Sequence, residues 1–110
     1  MKIQSNILLT SYNTFGISAT AAFFVEINAV KDLEIILSQN KQKKIIIGGG
    51  SNILFTENLQ DSLLIKNNIK GIAVARQSKK QVYVEAGAGE LWQDLVQWCL
   101  DKNIGGLENL

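Results

Sequence analysis

The stretch Ile45–Phe55, IIIGGGSNILF, does most to narrow what this chain can fold into. Glycine loses more backbone freedom on folding than any other residue, so three in a row are costly. Something must require bare backbone directly after a run of isoleucines. Strand, glycine-rich turn, then Ser51 and Asn52 is a reasonable anion cradle. Glycine N–H groups can approach phosphate oxygens closely, consecutive N–H groups can converge, and the hydroxyl and amide add donors. A tight structural turn is written with the same letters.

Two familiar phosphate motifs fail at this loop. A P-loop needs Gly-Lys-Ser/Thr at its end, and no lysine follows these glycines. The dinucleotide pattern G-x-G-x-x-G matches Gly48 and Gly50 but meets Ile53 at its last position. A second partial match, Gly87-Ala88-Gly89-Glu90-Leu91-Trp92, follows a strand-like segment and opens a helix-like one. Trp92 at the third glycine position would block close helix–strand packing, and Glu90 would repel a pyrophosphate.

The remaining chain reads as a soluble α+β protein. At 110 residues it has room for one domain with a real core, and 46% apolar with 19% charged residues is globular composition. A formal net charge of +1 gives no pointer to nucleic acid or to an anionic membrane. The single cysteine rules out an internal disulfide and suggests a reducing, cytoplasmic setting. No run is long enough to span a bilayer, and the N-terminal apolar run is broken by Thr10, Ser11 and Asn13. With no histidine at all, imidazole acid/base catalysis, Ser-His triads and His/Cys metal sites are excluded within this chain. No catalytic or metal-ligating residue is assigned.

Ala21–Ile27 reads as a strand, rich in aromatic and branched residues. Asn28 is the expected N-cap of a helix over 29–39, with Val30, Leu33, Ile36 and Leu37 as its apolar stripe. Lys44–Ile47 is expected to be a strand covered on both faces. A polar turn over 57–61 leads to a strand over 62–65, and 66–70 is a turn. Residues 71–76 and 81–86 form a hairpin, in which Val82, Val84 and Ala86 alternate with Tyr83 and Glu85. The last helix runs from Glu90 to about Lys102, with Leu91, Trp92, Leu95, Val96 and Cys99 inward and Gly105 as its C-terminal cap. The segment 107–110 begins another unit, so the chain is expected to be part of something longer.

Four segments in order resemble the UDP-N-acetylenolpyruvoylglucosamine reductase (MurB) family. They are Asn13-Thr14-Phe15-Gly16-Ile17, the loop IGGGSNIL over 47–54, the Ala-Gly-Ala-Gly-Glu core of 84–92, and Gly106-Leu107-Glu108-Asn109-Leu110. The GLENL wording is similar to type I members. The resemblance implies the N-terminal part of a two-part FAD-binding domain of the vanillyl-alcohol-oxidase (PCMH) type. It divides into a first subdomain over 1–66 and the start of a second over 67–110. It implies FAD as cofactor, NADPH as co-substrate and a UDP-sugar enolpyruvyl ether as the substrate of the whole enzyme, in peptidoglycan precursor synthesis. Gly48, Gly49, Gly50, Ser51, Asn52 and Ile53 would cradle the FAD pyrophosphate, with Asn13 and Thr14 near the flavin. The family's catalytic serine, glutamate and arginine have no counterpart among these residues, and the chain by itself is expected to be inactive. Other readings are a flavin oxidase of the wider vanillyl-alcohol-oxidase group and a stand-alone nucleotide-binding module.

Other conspicuous residues have structural readings. Trp92 and Trp98, six apart on one helix, stand about 240° apart around its axis. Trp92 is expected in the core and Trp98 partly covered. Cys99 reads as a small buried hydrophobe, and Glu90 as a first-turn carboxylate complementing the helix dipole. Lys41, Lys43 and Lys44 read as a solvated turn. Sheet edges left without a partner strand are expected to favour self-association.

Overall fold

Two sheets and two helices make up the computed structural model, which describes residues 1–109. Leu110, the end of the GLENL segment, lies outside the described residues. The first sheet takes its strands in the order β1 (Gln4–Leu8), β2 (Thr20–Ile27), β4 (Leu59–Asn67), β3 (Lys44–Ile47). β1 runs antiparallel to β2, while β2 and β3 both run parallel to β4. Helix α1 (Val30–Gln39) carries the chain from β2 to β3 and leaves a slot between them that β4 fills. The second sheet is the hairpin β5 (Ile72–Gln77) and β6 (Val82–Ala86), followed by α2 (Trp92–Asp101). The α+β class is as expected.

Strand order determines which apolar run is deeply buried. Leu63, Leu64 and Ile65 of central β4 are fully buried, as are Phe24 and Val25 of β2 beside them. Their alternation feeds two cores. Leu9, Ala19, Ala21, Phe24, Ile47, Phe55 and Leu64 fill one face, and Val25, Ile27, Ile36, Leu63 and Ile65 fill the other, under α1. The isoleucine run of β3 lies instead at the sheet edge. Ile47 is buried, but Ile46 is 57% exposed, so the expectation of a strand covered on both faces is corrected. A continuous apolar run signals two-sided cover only for an interior strand, and here the crossover placed β4 in that position.

Helix ends differ from expectation in instructive ways. α1 is opened by Ala29, not Asn28, and the Asp32 carboxylate accepts the backbone N–H groups of Asn28 and Ala29 at 3.0 and 3.2 Å. A carboxylate from the first turn thus replaces the cap side chain. Ile36 is buried as expected, but Val30 and Leu37 are exposed. α2 starts at Trp92, so Glu90 lies before the helix, and Asp94 is the first-turn carboxylate. Trp92 is 49% exposed rather than in the core, while Trp98 is partly covered and Cys99 is buried. At the other end Asn103, at φ 56°, takes the left-handed position expected of Gly105. The N–H groups of Asn103 and Ile104 then close on the carbonyls of Leu100 and Cys99 at 3.0 and 2.8 Å, which is a Schellman closure.

Two strands extend beyond their sequence signals. β1 was not expected, and β4 begins at Leu59 inside the supposed polar turn and continues through Lys66 and Asn67. The ladder pairs Ala21 with Leu59 and then, past an irregularity, Phe23 with Leu63. Partner strands on both sides supply hydrogen bonds that carry polar residues into the sheet.

The molecule is flat, 50 × 32 × 17 Å, with a radius of gyration of 16.6 Å. A compact chain of this length would have a radius nearer ~13 Å. The hairpin and α2 extend from the first sheet rather than folding over it.

Candidate functional site

The glycine loop leaves the sheet where β3 ends at buried Ile47. Its three glycines are there for different reasons. Gly50 has φ +75°, and a Cβ on it would lie 2.0 Å from the Tyr12 carbonyl oxygen and 2.8 Å from Asn13 Cα. The Gly50 carbonyl accepts the Thr14 N–H at 3.2 Å. Here glycine is demanded by the fold, because another backbone segment presses directly onto it. Gly48 has nothing within 4 Å of a would-be Cβ, and Gly49 would meet only Leu91 Cδ2 at 3.9 Å. Neither is in the left-handed region, and among the described residues no close contact requires either to be glycine.

Around these glycines the donors are open. Ser51 and Asn52 form an exposed turn. Among the described residues, the N–H groups of Gly49, Ser51 and Asn52 and the side chains of Ser51 and Asn52 make no hydrogen bond. Ile53 packs its side chain against the first core and anchors the far end of the loop. The loop has no acidic side chain before Glu57. Exposed N–H, hydroxyl and amide donors on a stretch that carries no carboxylate of its own suit an anion such as a diphosphate.

The turn carrying Asn13 and Thr14 supports this loop from below. Asn13 is buried. Its Nδ2 donates to the carbonyls of Leu9 and Ile17 at 2.7 and 3.2 Å, and its Oδ1 accepts the Ile17 N–H at 3.0 Å. All of these partners belong to the Leu9–Ile17 turn, so the amide shapes the surface on which Gly50 rests. Thr14 is exposed and its hydroxyl makes no hydrogen bond among the described residues. Tyr12 packs its ring on Phe24, with centroids 4.7 Å apart. Burial first, and then the Glu26 carboxylate, push its phenol above the ordinary value of 10.0, so the group stays neutral.

The second glycine pair is explained by packing. A Cβ on Gly87 would lie 2.2 Å from the Ile69 carbonyl oxygen, and one on Gly89 would lie 2.5 Å from Asn68 backbone atoms. Their N–H groups donate to the Gly71 and Ile69 carbonyls, both at 2.8 Å, leaving none for a pyrophosphate. Lys70 Nζ caps the Gly89 carbonyl at 2.7 Å. This seam brings Leu91 beside Gly49.

The structure therefore gathers residues 12–14, 48–53 and 91 in one place. It adds one residue that the sequence reading left in a turn: Lys66, whose Nζ donates to the Gly48 carbonyl. The available signal was its position directly after Leu63-Leu64-Ile65, but only the pairing of Ile47 with Lys66 sets it beside the loop.

Comparisons with known proteins agree with this geometry. The FAD binding domain family matches residues 21–110. Over its whole length the chain is 48% identical to a UDP-N-acetylenolpyruvoylglucosamine reductase of Flavobacterium johnsoniae and 39% identical to one of Amoebophilus asiaticus. It spans about a third of each, 33% in both cases. Among solved structures, the reductase (MurB) of Thermus caldophilus shares the fold with a TM-score of 0.71 at 23% identity, over 98% of this chain and 36% of that one. With residues 21–110, about four-fifths of its length, inside the family match and a donor-rich glycine loop at the sheet edge, the chain belongs to the FAD-binding domain family.

Proposed function

We propose that the chain is the FAD-binding part of an NADPH-dependent reductase acting on the enolpyruvyl ether of a UDP-sugar, and that the loop over 48–53 cradles the FAD pyrophosphate. The observation that carries the reading is that Gly48 and Gly49 are glycines without any steric need among the described residues, set among N–H donors unused by those residues. Bare backbone kept where the chain does not need it is explained by an outside group that must come close. The relatives' printed names support a reductase over a flavin oxidase.

FAD, when bound, supplies the redox chemistry. This chain's residues bind and orient. The N–H groups of Gly49, Ser51 and Asn52, with the Ser51 hydroxyl and the Asn52 amide, would hold phosphate oxygens. Gly50, Asn13 and Ile53 keep the loop in shape. Thr14, at the loop's flank with a free hydroxyl, is the residue of the N-terminal turn placed to touch the cofactor. None of these has a role in proton or hydride transfer. A division after Lys66 into two subdomains is supported by the change of sheet between β4 and β5. The proposed setting is the cytoplasm, where the nucleotide substrates occur.

Alanine at Gly48 or Gly49 tests the cradle. Each variant is expected to fold with unchanged or slightly raised stability, by up to about 1 kcal/mol, since alanine restricts the unfolded chain. Each is expected to bind FAD at least about tenfold more weakly, because the methyl group occupies the space of a phosphate oxygen. Flavin fluorescence quenching measures the affinity and thermal melting the stability. Equal affinity in all three proteins would remove the cradle.

Self-association of the chain is also part of the proposal. The outer edge of β3 has no strand beside it among the described residues, and Ile46 is exposed there. Light scattering at high concentration is expected to give a mass above that of one chain, and a monomer throughout would refute it.

A further inference from the structure

We infer that Lys66 is the cation of the cradle: it pins the Gly48–Gly49 peptide in the orientation an anion needs, and it adds a positive charge behind that peptide, on the face away from the anion. This rests on the reading of the loop as an FAD pyrophosphate site and extends it to a residue outside the glycine motif.

The geometry begins with register. Ile47, the last residue of β3, pairs with Lys66 on β4, so the lysine lies alongside the point where the loop departs. Its partly buried ammonium donates to the Gly48 carbonyl. A trans peptide points its C=O and the following N–H in opposite directions. Holding the Gly48 carbonyl against the sheet therefore turns the Gly49 N–H away from it. A peptide flanked by two glycines meets little steric resistance to flipping. Once flipped, it would offer an arriving phosphate a carbonyl lone pair in place of a donor. The lysine removes that alternative.

Charge gives the second argument. Among the described residues Lys66 forms no ion pair; Glu26 stands opposite it on β2, with its carboxylate on the Asn68 amide at 3.3 Å and beside the Tyr12 phenol. One of its three ammonium protons is used on Gly48. Among the described residues no other basic side chain hydrogen-bonds to the loop. Lys44 is spent on the carbonyls of Asn40 and Gln42, and Lys70 on that of Gly89. A loop that binds a doubly charged group through neutral donors gains from a partly buried cation behind it, because the field of a partly buried charge is screened less than that of an exposed one.

The test is FAD titration of this chain by fluorescence quenching, at about 50 and about 500 mM NaCl, for wild type, Lys66→Met and Lys66→Gln. Glutamine keeps a donor for the Gly48 carbonyl and drops the charge, so it guards against loss of folding in the methionine variant. Both variants are expected to bind FAD about tenfold more weakly at low salt and to lose most of the salt dependence seen in wild type. Wild-type affinity in Lys66→Gln, or weaker binding with an unaltered salt dependence, would overturn the inference and leave Lys66 a packing residue. Should Gly48→Ala and Gly49→Ala weaken binding while the Lys66 variants do not, only this inference fails. Should the glycine variants bind as wild type, the cradle itself fails.

Discussion

Alanine at Gly50 is expected to destabilise the chain by about 4 kcal/mol, a loss that few point mutations reach. Two penalties combine. The residue sits at φ +75°, where an L side chain is strained, and its Cβ would lie 2.0 Å from the Tyr12 carbonyl oxygen. Both neighbours are backbone, so no rotamer change relieves the clash. Relief requires the 9–17 turn to lift off the loop, which breaks the Thr14–Gly50 hydrogen bond and uncovers Leu9 and Tyr12. For a small domain whose total stability is of order 5–15 kcal/mol, the loss is a large fraction. Urea unfolding followed by far-UV circular dichroism measures it. The contrast within one triplet is the sharp part: Gly50→Ala unfolds readily while Gly48→Ala and Gly49→Ala do not. A Gly50→Ala protein as stable as wild type would show that the turn does not rest on this glycine.

Alanine at Gly87 is expected to separate the second unit from the first at a cost of about 3 kcal/mol. Its Cβ would lie 2.2 Å from the Ile69 carbonyl oxygen and within 3 Å of the next two backbone carbons of that segment. The N–H of Gly87 bonds to Gly71 and that of Gly89 to Ile69, so displacing the seam costs both hydrogen bonds. The first sheet, held by its own two cores, is expected to be left standing, although Ile69 at the seam packs on the second of them. Cys99 provides a local readout, because it is the chain's sole cysteine and is buried in α2. Its labelling by a thiol reagent is expected to rise at least about tenfold, since reactivity follows exposure through local opening. Far-UV signal from β2, β4 and α1 should persist. Unchanged protection of Cys99 would mean that the seam tolerates a methyl group.

These predictions turn on a distinction that the letters alone do not contain. Gly48, Gly49 and Gly50 read identically in the sequence, as three requests for bare backbone. Gly50 answers to Tyr12, thirty-eight positions away, while the other two meet no tight contact among the described residues. The same holds for Gly87 and Gly89, which look like a cofactor motif and are in fact a backbone-to-backbone seam. Lys66 looked like turn material because its strand partner, Ile47, is distant in sequence. Helical spacing puts Trp92 in the core, but the helix begins at that residue and the ring is half exposed there.

Local pattern determined most of the elements, β1 and the first residues of β4 excepted. The branched and aromatic run of β2, the helical spacing of α1 and α2, the alternation in β6 and the glycine break after Ile47 follow from short-range sterics and side-chain period, so each could be read within a window of ten residues. Tertiary structure alone decided that β4 rather than β3 is the interior strand, that Asp32 and Asn103 perform the capping, and that the Asn13 turn, the glycine loop and Lys66 meet. Those outcomes depend on strand order and register, where one crossover sets which hydrophobic run is covered and a one-residue shift would carry Lys66 to the opposite face of the sheet.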